Sequence, residues 1–359
     1  MAHNTIAVGG LRIGVETEFL LQAKTLEEDQ GIPSLKIFAY MVAESHCENV
    51  PNWVARMHEE VGVDEAGLDD EGRFTEWVLV DDKSIEPAPY NPNVSLKQWP
   101  LELVSPALQF TNGSSFRSEV EFVWRHLQEM TTINTNETCG THIHLSPYTN
   151  NGIWALRDVK AICRSIIYFE FAFEVLLPAH RRQNLWTKSN VYDNDSFPQK
   201  TVDACFGLID GCSLIAEIVQ LMNDGDDKYF GWNFLNLLGE GKTTIEFRRP
   251  PGVTNEEECL AWVEFTVMFA QSAVLHGNTL TNNMGVAANV QDLEIFMRRV
   301  TVSGGEPARL NAIFLGKSGA RFPQKVAMAG YTLEEMEKIE RIRAGERNRN
   351  LMREKMKRA

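Results

Sequence analysis

Along the chain, short runs of apolar residues, alternating or continuous, are interleaved with longer stretches in which apolar positions recur at helical spacing. Strand and helix therefore both contribute, and the pattern predicts a mixed fold. Residues 12–21 read as a strand, 35–57 as a helix broken near 49–51, and 74–81 as another strand, with an acidic loop over 63–72 between the last two. A strand is expected over 98–110, after which Ser114 and Ser115 offer N-caps for a helix running to about 130. Polar residues 131–138 lead into a strand over 139–145.

The stretch 153–177 is apolar almost all round, so it reads as a long helix buried against more than one neighbour and ended by Pro178. A second helix is expected over 202–222, stopping at the Asp224-Gly225-Asp226 turn. Residues 229–238 and 243–249 look like paired strands whose link, Gly239-Glu240-Gly241-Lys242, has hairpin chemistry. Asn255 with Glu258 fits a capping box opening a helix to about 276, and Thr332 with Glu335 repeats the signal before a C-terminal helix. No internal repeat stands out.

Composition sets limits on this picture. At 359 residues and 43% apolar, the chain supports a well-buried core in one large or two ordinary domains. Its six cysteines form no C-x-x-C pair and no secretory segment is visible, so a reducing cytoplasm is the expected compartment. The apolar run 165–179 is interrupted by Glu170 and Glu174, which argues against a membrane span there and for a soluble protein. A net charge of -14 argues against nucleic acid as a partner, since phosphate backbones are held by clustered Lys and Arg. The exception is 341–359, with eight basic and two acidic residues, which reads as a solvated helical tail or a docking segment.

The chemistry sits in pairs separated by one residue: Glu16-Thr17-Glu18, His142-Ile143-His144 and Glu246-Phe247-Arg248. On a strand the outer members share a face and the middle one points to the other layer. A face carrying these acids, imidazoles and a guanidinium is costly to bury unless the charges are partnered, and divalent cations are natural partners. Glutamates supply hard oxygen ligands suited to Mg²⁺ or Mn²⁺, with positions left for phosphate oxygens. Arg248 adds a planar fork for a phosphoryl group. Glu102, between apolar residues in Leu101-Glu102-Leu103-Val104, is a further ligand candidate. Singly, each pair also fits a solvated strand face or an intrastrand ion pair; together they point to one site.

In their order, Gly14-Val15-Glu16-Thr17-Glu18-Phe19, Glu102-Leu103-Val104-Ser105-Pro106, Cys139-Gly140-Thr141-His142-Ile143-His144 and Thr244-Ile245-Glu246-Phe247-Arg248 resemble the signatures of the putative amidoligase family. That family is a branch of the carboxylate-amine ligase superfamily of glutamine synthetase and glutamate-cysteine ligase. The motifs cover about 12–253, and the catalytic domain is expected to extend over 1–330, with 331–359 a basic helical tail. The resemblance implies an α+β, glutamine synthetase-like fold: a mainly antiparallel curved sheet packed on helices, its concave face holding ATP and metal. It also implies an ATP-dependent ligase that phosphorylates a carboxylate and lets an amine displace the phosphate.

By position, Glu16, His142 and Glu246 would hold the cation bridging ATP phosphates, and Glu18 and Glu102 one nearer the carboxylate. His144, Arg248 and an asparagine, Asn233 or Asn236, would meet the nucleotide; Arg248, Glu246 and Glu18 are the expected catalytic set. Arg181 or Arg182 would bind a substrate carboxylate, the alternative being a basic flank favourable to the preceding helix dipole. Asp82 and Lys83 are further candidates for substrate contact, and Cys139 reads as a packing residue. The chain departs from glutamine synthetase in having no acid over 105–110, where a further metal-binding Glu belongs, so the number of metals stays open. The base that deprotonates the amine and the oligomeric state stay open as well. The substrates are a small-molecule or peptide carboxylate and amine. Competing readings are a phosphotransferase like the guanidino kinases, a zinc hydrolase built on His142 and His144, and a non-catalytic binding descendant.

Overall fold

The structure, a computed structural model, describes residues 10–58 and 75–317 except 92–94, 112, 149–151, 183, 198–199, 240–242, 282–287 and 301–306, together with Glu337 and Arg341. The acidic loop 63–72, the link 240–242, the Thr332–Glu335 signal and almost all of the basic tail lie outside the described residues.

The fold is α+β, built on an open antiparallel sheet of eight strands. Its axis is β1 (Leu11–Gln22), whose Leu11, Ile13, Val15, Phe19 and Leu21 enter the main hydrophobic core. Because β1 is twelve residues long, it reaches two partners on each side. On one side lie β3 (Trp99–Val104) and β4 (Leu108–Phe110), on the other β6 (Thr141–Pro147) and β5 (Thr132–Asn134). Beyond these come β2 (Val78–Asp81) against β3, and β8 (Ile245–Phe247) against β6, with the two-residue β7 (Trp232–Asn233) next to β8.

The strand expected over 98–110 is split at Ser105-Pro106. Proline has no N–H to extend the ladder, and Ser105 fills the gap by donating its N–H to the Val15 carbonyl (2.9 Å) and accepting from Val15 N–H through Oγ (2.8 Å). The strand expected over 139–145 lies two residues later, and β5 emerges from the polar segment that precedes it. The pair expected over 229–238 and 243–249 survives only as β7 and β8, because residues 235–238 turn into a 3-10 helix.

Behind the sheet, α4 (Leu156–Leu176) and α7 (Glu256–His276) pack on each other, and α7 also meets β6, α3 (Phe116–Met130), α8 (Val290–Met297) and α9 (Pro307–Phe314). An aromatic cluster glues these layers: Trp232 lies 4.5 Å from Phe247 and 5.1 Å from Phe269 between ring centroids, and Phe173 lies 5.0 Å from Phe269. The segment Glu256–Thr279 is long and apolar enough to cross a membrane, but 72% of its apolar window is buried inside the protein, as befits a core helix. Asn255 caps α7 by accepting from Glu258 N–H (3.0 Å), while Glu258 reaches Thr254 N–H rather than Asn255, so the box is half made.

Elsewhere the expected helices are shorter. The helix starting at residue 35 stops at Asn49 (α2, Leu35–Asn49, after the short α1, Leu26–Gly31), and Met57 instead bridges to Trp77. Residues 202–222 divide into α5 (Val202–Gly211) and α6 (Ile215–Met222), since Glu217 turns back to accept from Ser213 and Leu214 N–H and starts a new helix. Ser115 stands at the N-cap of α3 without a side-chain hydrogen bond; Ser114 closes the preceding turn onto Thr111.

Candidate active site

Residues of the sheet that face away from the core fall into three lateral rows. In one, Gly14 stands opposite His144, His144 opposite Glu246, and Glu246 opposite Asn233. In the next, Val104 is opposite Glu16 and Glu16 opposite His142. In the third, Val80 is opposite Glu102 and Glu102 opposite Glu18. The motif pairs are thus in register across four strands, and the intervening Ile143, Phe247 and Leu103 go to the core. Strand alternation and an antiparallel ladder are sufficient to build this face.

Side chains close in on one another. His142 Nδ1 is 3.4 Å from Glu16 Oε2 and its Nε2 is 3.7 Å from Glu18 Oε1; His144 Nε2 is 3.2 Å from Glu16 Oε1 and 3.7 Å from Glu246 Oε1. Glu246 is held from two sides: Arg248 Nη1 donates to Oε1, and Asn233 Nδ2 donates to Oε2 at 2.8 Å. Asn233 is fixed in turn by the fully buried Asn223, whose Nδ2 donates to Asn233 Oδ1 (3.2 Å). Glu16 has the most open side chain of this group, 28% exposed, so the site opens over Glu16.

The electrostatics divide the acids into two sets. Burial alone would raise Glu246, but Arg248, His144 and His142 outweigh it and hold the carboxyl at about 2. Burial is likewise overcome at Glu16 by His144 and His142, which keep it well below the usual range. At Glu102 burial, reinforced by Glu16, Asp82 and Glu18, outweighs the pull of Arg248 and pushes the carboxyl well above normal. Burial also raises Glu18, with Asp82 adding to the rise and His142 offsetting part of it. The Glu18–Glu102 end therefore favours protonated carboxyls, whereas Glu16 and Glu246 keep their charge.

Ligand atoms gather in three overlapping groups, each within 4.8 Å: Glu16, His144 and Glu246; Glu16, Glu102 and His142; and Glu18, Asp82 and Glu102. This oxygen-rich set with two imidazoles fits a hard divalent cation such as Mg²⁺ or Mn²⁺ better than zinc. His144, directly opposite Glu246, joins Glu16 and Glu246, and His142, expected in that set from motif position, lies 3.4 Å from Glu16 and 3.8 Å from Glu246 as well. Asp82 enters from the end of β2, a position no motif marked.

The remaining candidates separate. Asn233 is on the site face, whereas Asn236 donates to Thr244 Oγ1 (3.2 Å). Arg182 turns to the carbonyls of Leu177 (2.8 Å) and Val175 (3.3 Å), at the end of α4, as a helix C-terminus favours. Arg181 is buried beside the site; it donates to the carbonyls of Arg248 (2.7 Å) and Arg249 (3.3 Å) and lies against Gly140, where a Cβ would come within 2.7 Å of Nη2. Lys83 is exposed, and the Cys139 thiol is buried and pushed up to about 11, chiefly by that burial, in keeping with a packing role.

Behind the sheet lies a group that spacing did not reveal. Arg249, fully buried, donates to Glu170 and to Glu174 (2.9 Å), the two acids that interrupt the apolar run of α4. Its Nε lies 2.1 Å, and its Cγ 2.8 Å, from where an ideal Cβ at Gly231 would stand, so the arginine occupies the space a side chain there would need. Arg248 and Arg249 thus point to opposite layers, one to the acid face and one to the helices.

No curated protein matches the chain. The sequence model described as "Putative amidoligase enzyme" matches residues 10–270, which spans every strand of the sheet and all the motif residues. With its registered acid face and that match over most of its length, the chain belongs to the putative amidoligase enzyme family.

Proposed function

We propose that the chain is an ATP- and divalent-cation-dependent ligase that joins a carboxylate to an amine through an acyl phosphate. The observation that carries the reading is the three-row face on which Glu16, His144, Glu246 and Arg248 converge. Glu16, His144 and Glu246 are the residues that would hold a nucleotide-bridging cation, which supplies charge neutralisation at the phosphates when bound. Arg248, kept protonated by Glu246 and anchored by it, offers its remaining donors to the phosphoryl group in transfer. Asn233 keeps Glu246 oriented.

In the first step a substrate carboxylate oxygen bonds to the γ-phosphorus as the bond to ADP breaks. In the second, the amine nitrogen bonds to the acyl carbon, phosphate leaves with the C–O bond, and the nitrogen loses a proton. The work of the face is to align the reactants and to stabilise spreading charge, the main demands of such transfers.

Calorimetric titration with ATP in the presence and absence of Mg²⁺ tests the reading. Saturable binding that needs Mg²⁺ and is weakened at least about tenfold in Arg248→Lys is expected, since a lysine cannot reproduce the planar fork. Binding indifferent to Mg²⁺ and to Arg248 would contradict it.

A further inference from the structure

Glu246 owes part of its orientation to a residue that lies off the sheet. Asn233, on β7, donates Nδ2 to Glu246 Oε2 at 2.8 Å, while its Oδ1 accepts from Leu235 N–H at 3.0 Å and from Asn223 Nδ2 at 3.2 Å. An amide oxygen has two lone pairs, and both are thereby taken. Asn223 is oriented in its turn: its Oδ1 accepts from Phe234 N–H at 2.8 Å, and its Nδ2 also donates to the Asp227 carbonyl at 2.9 Å. A backbone N–H can only donate and a carbonyl can only accept, so Phe234, Leu235 and Asp227 decide which end of each amide is which. Turned over, Asn233 would set its oxygen against Glu246 and its NH₂ against two donors.

Asn223 reaches this position from the end of a helix. It is the C-cap of α6, with its N–H on the Val219 carbonyl at 2.8 Å. The chain then doubles back through Gly225 and Asp226, at φ 67° and 55°, left-handed conformations that glycine and aspartate tolerate, and so returns the Asp227 carbonyl to Asn223 Nδ2. Asn223 is 0% exposed and Asn233 3%. Burying an amide costs free energy unless its polar atoms are bonded, a demand that an apolar side chain of similar size would not make. Helix-end support alone is supplied by another buried amide: Asn194 donates Nδ2 to the carbonyls of Leu221 (2.9 Å) and Met222 (3.2 Å), at the same end of α6, and not to Asn233.

We infer that Asn223 is a positioning residue for the site, acting through Asn233 to hold Glu246 in the orientation in which that carboxylate meets Arg248 and a cation shared with Glu16 and His144. The inference rests on the ligase reading in taking Glu246 as a cation ligand.

The test is a Mn²⁺ titration of the nucleotide-free full chain, with free ion followed by electron paramagnetic resonance, below the melting midpoint of every variant. The unmodified protein is compared with Asn223→Ala, Asn233→Ala, the double variant and Asn194→Ala. Asn233→Ala is expected to weaken the tightest Mn²⁺ about tenfold and Asn223→Ala at least about threefold. The double variant is expected to be no weaker than Asn233→Ala alone, because Asn223 acts through Asn233. Asn194→Ala should lower the melting midpoint and leave Mn²⁺ affinity within about twofold. Asn223→Ser, which keeps a small polar group and lacks the Nδ2 donor, replaces the alanine variant in the comparison should that one not fold. Unchanged affinity in either single variant overturns the inference and leaves the ligase reading standing. So does a double variant in which the two losses multiply, or an Asn194→Ala loss as large as that of Asn223→Ala, since Asn223 would then act by supporting the helix. No Mn²⁺ binding by the unmodified protein overturns both.

Discussion

Asn233 Nδ2 donates to Glu246 Oε2 at 2.8 Å across the β7–β8 ladder, while Arg248 takes the other oxygen, so Glu246 has no rotational freedom left. A carboxylate clamped in this way is a preoriented ligand, and its charge persists down to about pH 2 because Arg248 and the two imidazoles outweigh the effect of burial.

Glu246→Gln is therefore expected to lower turnover by at least about a hundredfold, since it removes the charge that anchors Arg248 while keeping the shape. Asn233→Ala, which frees one oxygen, is expected to lower it about tenfold. Steady-state kinetics on both, with circular dichroism to confirm the fold, checks the order; a Glu246→Gln enzyme with normal turnover would remove Glu246 from the site.

The two neighbouring arginines should behave differently. Arg182→Ala removes bonds to carbonyls at the end of α4 and is expected to cost about 1 kcal/mol of stability with substrate affinity unchanged. Arg181→Ala empties a buried guanidinium that holds the Arg248 and Arg249 carbonyls, and is expected to cost about 3 kcal/mol and to lower turnover as well. Chemical denaturation and kinetics of the pair separate them; equal effects would contradict the placement.

Gly140 should not tolerate a side chain. A Cβ there would come within 2.7 Å of Arg181 Nη2 and 3.2 Å of Cζ, and Arg181 is too buried to swing away. Gly140→Ala is expected to destabilise the protein by about 1–3 kcal/mol and to reduce activity through displaced Glu18, whose Oε2 accepts from Gly140 N–H. Unchanged melting and activity would show that the space is available.

Acid should weaken the docking of α2 on α3. His46 is fully buried with neither ring nitrogen hydrogen-bonded among the described residues, and burial first, then His126 5.3 Å away, lowers it to about 4. The folded state thus favours the neutral ring; its contribution is intact above the unfolded value of about 6.5 and is lost as pH falls from there toward 4. The loss amounts to about 3 kcal/mol for His46, and His126 is shifted in the same direction. Melting temperatures between pH 7 and 4.5 should show a decline that His46→Leu flattens; an identical decline in the variant would place the acid sensitivity elsewhere.

Which of these features the sequence revealed follows from the range of the forces involved. Alternation alone put Glu16 with Glu18 and His142 with His144 on one face, and the ladder then needed only its register to bring Glu16 opposite His142. What spacing could not show was long-range: Asp82 reaches Glu102 only because β2 pairs with β3, and Arg249 meets Glu170 and Glu174 across two layers. The two acids of α4 were visible as interruptions of an apolar helix, but a buried ion pair and a solvated face look alike until the partner is known. Arg181 and Arg182 differ by one position and go to opposite duties, a choice made by the turn after Pro178.

The most direct test of the central claim is product analysis. The protein is incubated with ATP, Mg²⁺ and pooled amino acids, amines and small carboxylic acids, and nucleotides, phosphate and new masses are followed together by chromatography and mass spectrometry. The account predicts ADP and free phosphate formed only with substrate, and a product whose mass is acid plus amine minus water. A phosphorylated product without free phosphate would instead make the enzyme a phosphotransferase, and AMP in place of ADP would contradict the acyl-phosphate route.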